Sequence, residues 1–147
     1  MRFAAGLRMT LKLLLANEFG GGHGHYVQLQ SLGRALKDAV PDVAVKIVMP
    51  PATRKWVPSN ELFPLEQPDC LASQATMRVV PSSHAQHIAL ILLRHPEFLA
   101  ARLRYWQQQF AEFKPDVVVG DYAPSLTMAA RGRVASVALG SGYSLPP

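Results

Sequence analysis

The run Gly20-Gly21-Gly22-His23-Gly24-His25 gathers the densest set of groups able to do chemistry. Glycines lack Cβ atoms and accept positive φ, so a loop of them lets a ligand or another backbone come close. The loop feeds an amphipathic segment, and a helix N-terminus offers free N–H groups and a favourable dipole to an anion. The dinucleotide fingerprint nevertheless fails. Gly22 and Gly24 supply two glycines, the third position is Val27, and Met49-Pro50 stands where an acid should end the second strand. No lysine completes a Walker loop, so both nucleotide motifs are rejected. A plain strand-to-helix turn is the structural alternative.

His25 is the sharper feature. In the first turn of a helix it faces the strand ends, where a neutral imidazole can take a proton from a hydroxyl; it can equally be a histidine that only packs and hydrogen-bonds. Asp121 follows Val117-Val118-Val119-Gly120. A carboxylate there can receive the imidazole Nδ1 proton, as a triad aspartate does, or cap the segment that follows. Both pairs of readings stand on the sequence. His23 with His25, and His84 with His87, have ligand-like spacing, but no cysteine or diagnostic acid accompanies them and no metal is expected. Ser141, between Gly140 and Gly142, does not fit the nucleophile-elbow pattern. It reads as part of a loop that approaches ligand.

The elements that must position these groups follow from apolar periodicity. Residues 11–16 form a short, nearly continuous apolar run, the mark of a buried strand in a parallel sheet. From His25 onward Val27, Leu29, Leu32, Ala35, Leu36 and Ala39 recur at helical spacing, and Pro41 stops the helix. Residues 43–48 are a β-branched strand. The stretch 50–68 carries Pro50, Pro51, Pro58, Pro64 and Pro68 and is expected to be irregular. Residues 83–113 read as helical, broken at Pro96, with Leu99, Leu103, Trp106, Phe110 and Phe113 as the buried stripe. A strand at 117–119, a short helix at 125–131 and a strand at 134–139 complete the chain. At least four parallel strands with crossover helices make an open, doubly wound, Rossmann-like α/β sheet with helices on both faces. Ligands of such sheets sit at the carboxyl ends of the strands, here near residues 20–25, 120–122 and 140–143.

The 147 residues suffice for one domain with a real core, and 49% hydrophobic against 17% charged residues is a globular composition. No apolar run reaches the roughly 20 residues of a membrane span. Residues 1–10 are expected to be a leader of no fold value. The single Cys70 forms no internal disulfide and fits a reducing cytoplasm. The net charge of +5 favours anionic partners. The basic residues, Arg54 and Lys55, Arg102 and Arg104, Arg131 and Arg133, are scattered and read as solvated surface, with no nucleic-acid site. Peripheral contact with the inner face of a membrane is the remaining use for that charge.

Residues 13–18 leading to Gly24-His25, and the helix with Leu32, Ala35 and Leu36, resemble the first βα unit of GT-B glycosyltransferases. These include the UDP-glycosyltransferases of family 1 and the family 28 N-acetylglucosaminyltransferase of peptidoglycan synthesis. In the small-molecule branch a Gly-His pair supplies the catalytic base, and it aligns with Gly24-His25. Asp121 matches the family's orienting aspartate, and residues 137–142 are similar to its next strand and loop. The resemblance implies inverting transfer of a hexose from a nucleotide-sugar, such as a UDP-sugar, to an acceptor hydroxyl. His25 and Asp121 would be catalytic, with Gly22, His23, Gly24, Tyr122, Ser141 and Gly142 against substrate. No cofactor is implied beyond that co-substrate. The acceptor would be a hydroxylated small molecule or lipid, with 50–68 and the helices from 83 lining its pocket.

In that family the nucleotide-sugar site lies mostly on a second, C-terminal domain whose donor motif is absent here. Residues 11–147 are therefore expected to be an incomplete acceptor domain, inactive without a donor domain or partner chain. Two alternatives stand beside this: a non-catalytic subunit of a split glycosyltransferase, and an unrelated Rossmann-like protein that binds a phosphate ligand.

Overall fold

The computed structural model describes residues 10–19, 22–58, 62–72 and 83–140. The apolar run becomes β1 (Lys12–Asn17), the centre of a five-stranded parallel sheet ordered β3-β2-β1-β4-β5. The other strands are β2 (Ala44–Val48), β3 (Leu65–Glu66), β4 (Val117–Asp121) and β5 (Ala135–Leu139). Successive side chains of a strand point to opposite faces. Leu13 and Leu15 join Leu29, Val45, Ile47, Phe63 and Val119 on one face; Leu14 and Ala16 join Val48, Leu71, Trp106, Val118 and Leu126 on the other. A strand buried on both sides must be apolar throughout, which is why β1 reads as a run and not as an alternation.

Helix α1 (His23–Ala39) covers the first face, and α3 (Pro96–Glu112) and α4 (Pro124–Ala130) cover the second. The doubly wound α/β architecture is thus present. Sheet winding proceeds from β1 outward through β2 to β3, then restarts on the other side of β1 with β4 and β5. The reversal lies between β1 and β4, where such sheets open a crevice at their carboxyl ends.

Four expectations are corrected. The stretch 50–68 is not wholly irregular: it holds a 3₁₀ turn at Pro51–Trp56 and the edge strand β3. Proline lacks an N–H but keeps its carbonyl. Ile47 N donates to Pro64 O at 2.9 Å and Met49 N to Glu66 O at 2.9 Å, so a two-residue strand survives between prolines. Helix α1 begins at His23, two residues before the expected start, because Gly22 adopts the extended conformation of an N-cap. The helical region from residue 83 is α2 (His84–Ile88), a π-type turn at Ala89–Leu93, and α3. On α3, Trp106 is fully buried, yet its buried companions are Arg102 and Gln109, with Leu103, Phe110 and Phe113 only partly buried. Arg102, expected on the solvated surface, is buried.

A polar network ties β3 to α3. Tyr105 donates to Glu66 at 2.6 Å and Gln109 donates to it at 3.0 Å. Lys46 pairs with Glu66 and donates to Gln109 at 2.6 Å. Burial pushes the Glu66 carboxyl up, but these donors outweigh it and hold it below its ordinary 4.5. A carboxyl lowered on folding stabilises above its unfolded value, and that stability is lost as pH falls through the folded one. Glu66→Gln is therefore expected to flatten the loss of stability below pH 4.5, measured by urea unfolding across an acid series.

Gly33 lies buried on α1, and a Cβ there would stand 2.7 Å from Phe63 Cε2, a ring held in the core. Overpacking a core costs about 1–3 kcal/mol, against a helix-propensity gain of about 1 kcal/mol for Gly→Ala. Gly33→Ala is expected to destabilise by about 1 kcal/mol in urea unfolding, with Phe63→Leu restoring part of the loss.

Candidate active site

At the winding reversal Asn17 of β1 stands in register with Asp121 of β4. Asp121 is the last residue of its strand and is buried; its backbone carbonyl accepts from Asn17 Nδ2 at 2.7 Å. Its carboxylate does not cap α4, whose N-cap Ala123 makes no side-chain bond. Instead Oδ2 lies 2.7 Å from Nδ1 of His25, in the first turn of α1. The His25 side chain is 36% exposed and that of Asp121 3%. A carboxylate has lone pairs and no proton to give. The contact therefore places a proton on Nδ1, so that in the neutral ring Nε2 is the acceptor.

The glycines beside His25 are not fixed by packing. A Cβ at Gly22 or Gly24 would meet nothing within 4 Å. The start of α1 is open on that side. His23 is exposed, with its ring 6.3 Å from Tyr26 and 5.7 Å from Trp56, over whose ring Lys55 Nζ stands at 4.9 Å. His23 and His25 thus have different partners. Among the described residues no group of three His, Cys, Asp or Glu side chains is gathered as for a metal. Trp106 is a core residue whose Nε1 donates to Ser125 Oγ at 2.9 Å, whereas Trp56 is 42% exposed.

Tyr122 follows Asp121 with φ of 54°, a left-handed conformation uncommon outside glycine. Its ring lies 5.5 Å from Phe19 and 5.5 Å from His87, and its hydroxyl is hydrogen-bonded to His87 Nδ1. The structure thus brings His25, Asp121 and Tyr122 to the carboxyl edge of β1 and β4, with His23 on the adjoining rim. Ser141 and Gly142 lie outside the described residues. An open depression of about 830 Å³ lies elsewhere, at the amino ends of the strands, lined by Leu11, Lys37, Val40 and Asp42; it holds none of these groups.

Two buried residues beside this site were not among the candidate site residues read from the sequence. Glu18, just past β1, is fully buried and accepts from Leu126 N at 2.6 Å and Ser125 N at 3.2 Å. Burial pushes its carboxyl up, opposed by these bonds and by Arg102. Arg102 Nη1 lies 3.7 Å from Glu18 Oε2, Arg102 Nε donates to Cys70 O at 3.1 Å, and the guanidinium sits 4.4 Å from the Phe19 ring centre. Burial pulls the guanidinium down, and Glu18 opposes that. The one available clue was an acid directly after an apolar strand, whose partners lie over 80 residues away.

No family model matches the chain, and no curated protein was found similar to it. Among solved structures it is similar to Glycyrrhiza uralensis UGT73P12 complexed with glycyrrhetinic acid 3-O-monoglucuronide. Identity is 19% and the TM-score 0.49, over 91% of this chain and 29% of that one. It is also similar to a variant of Os79 from O. sativa in complex with UDP, at 18% identity and TM-score 0.48, over 88% of this chain and 28% of that one. The chain spans less than a third of the length of either.

Asp121→Asn exchanges an acceptor for an amide that can also donate. It is expected to move His25 away from the Nδ1–H tautomer, seen in the ring ¹⁵N shifts of labelled protein. Unchanged shifts would mean that the carboxylate does not set the tautomer.

Proposed function

We propose that the chain is the acceptor-binding domain of a glycosyltransferase that moves a hexose from a nucleotide-sugar to an acceptor hydroxyl with inversion. The observation that carries this reading is the 2.7 Å contact of His25 Nδ1 with Asp121 Oδ2 at the switch point of a doubly wound sheet, on a ring still 36% exposed. His25 Nε2 takes the proton of the acceptor hydroxyl. The oxygen attacks the anomeric carbon from the face opposite the nucleotide, and the bond from that carbon to the phosphate oxygen breaks. The nucleoside diphosphate leaves with the electron pair. Asp121 stabilises the imidazolium formed, the part a triad aspartate plays. The open side of Gly22 and Gly24 gives a substrate room to approach, with His23 and Tyr122 flanking it. The donor is held by a C-terminal nucleotide-sugar domain or a partner chain, without which turnover is not expected.

Among the described residues no helix is long and apolar enough to cross a membrane.

The test is sugar transfer from UDP- and TDP-sugars to a panel of hydroxylated lipids and aglycones, by the chain alone and joined to its downstream coding sequence. Activity is expected only in the joined protein. His25→Ala should lower kcat by about 10²–10⁴-fold, the usual worth of a general base. Activity indifferent to His25 would remove the base assignment. Dinucleotide binding without transfer would replace this reading by the phosphate-ligand one.

A further inference from the structure

Glu18 is a buried carboxylate that the proton transfer above does not use. Only Tyr122 and Ala123 separate Asp121 from Pro124, the first residue of α4. That helix opens on a proline with no side-chain cap from its own N-cap residue. The N–H groups of Ser125 and Leu126 therefore need an outside acceptor. Glu18 supplies it, one oxygen to each, at 3.2 and 2.6 Å. It also takes a hydrogen bond from the Ser125 hydroxyl, which in turn accepts from Trp106 Nε1. From the same corner, Glu18 N donates to Tyr122 O at 3.4 Å and Asn17 Nδ2 to Asp121 O at 2.7 Å. Two consecutive residues leaving β1 thus hold both sides of the turn that ends β4.

Burying a carboxylate costs several kcal/mol after relaxation. Arg102 offsets this incompletely: it stands 3.7 Å away, and its buried Nη1 has no hydrogen-bond partner. A neutral amide would be cheaper to bury but cannot do the same work, because its NH₂ would face one of the two N–H donors. The turn being held includes Tyr122 at positive φ, a conformation that persists only where its surroundings over-determine it.

We infer that Glu18 is a positioning residue for the His25–Asp121 pair, clamping the β4-to-α4 turn so that the Asp121 carboxylate meets His25 Nδ1. The catalytic meaning of this rests on the general-base reading above; the geometric meaning does not.

The test compares ring ¹⁵N shifts of His25 in the native chain, in Asp121→Asn as the reference for a lost contact, and in Glu18→Gln/Arg102→Met. The double variant removes both buried charges together, so neither is left without its counterion. The expected result is a folded protein whose His25 signals move most of the way to those of Asp121→Asn. Native His25 signals in that folded variant would overturn the inference and leave Glu18 a purely structural cap. Should the double variant not fold, Glu18→Asp makes the same comparison, retaining the charge and shortening the reach by one methylene. In the transfer assay Glu18→Asp should lower kcat about tenfold with KM unchanged, one tenfold step being 1.36 kcal/mol of barrier. Transfer indifferent to His25→Ala, with shifted ¹⁵N signals in the Glu18 variants, would sink the general base and keep the clamp.

Discussion

The parallel pairing of β1 with β4, with Asn17 set against Asp121, is the constraint on which the rest depends. Parallel neighbours bring their carboxyl ends to the same edge, so whatever follows each strand is delivered to one place. After β1 comes Glu18 and, beyond the glycines, the start of α1 with His25; after β4 come Asp121 and Tyr122. A slip of one residue would turn Asp121 to the other face and part it from His25. The register is pinned by burial on both faces of β1: Leu13 and Leu15 cannot exchange places with Leu14 and Ala16 without repacking two cores.

Much of this was legible in the residues because it is local. A run of apolar residues ending in glycines makes a buried strand and a turn, and the spacing of Leu29, Leu32, Ala35 and Leu36 makes a helix. Gly24-His25 and Asp121 stood out because each followed a strand. What escaped reading depends on residues far apart in the chain. Glu18 has its acceptor role only because Ser125 and Leu126 arrive more than 100 positions later. Arg102 lies on a helix whose aromatic residues suggested an apolar stripe, yet it turns inward because Glu18 and the Cys70 carbonyl wait there. β3 was hidden by prolines that remove donors while their carbonyls still serve the neighbouring strand. His25 and Asp121 were each open to a bland reading, and only the 2.7 Å contact joins them.

Two of the polar networks differ in character. Lys46, Glu66, Tyr105 and Gln109 share hydrogen bonds across β2, β3 and α3, so an edge strand of two residues is held by side chains as well as by its ladder. Glu18 and Arg102 are buried more deeply and matched less well, with Nη1 left unbonded. Networks satisfied throughout rigidify a fold, whereas partial ones are kept where geometry outweighs economy. The imperfect set is the one beside His25 and Asp121.

Cover thins across the sheet from β1 to β5. β1 is closed on both faces, whereas β5 from Ala135 to Ala138 is exposed on both. Opening free energy follows buried apolar contact and not hydrogen-bond count, so the domain has a graded interior and not one uniform stability. Backbone amides of β1 should exchange with solvent only through global unfolding. Asp121 sits on β4, between β1 and β5, and is itself buried. The carboxylate that meets His25 is thus carried on the strand next to the one with the deepest cover.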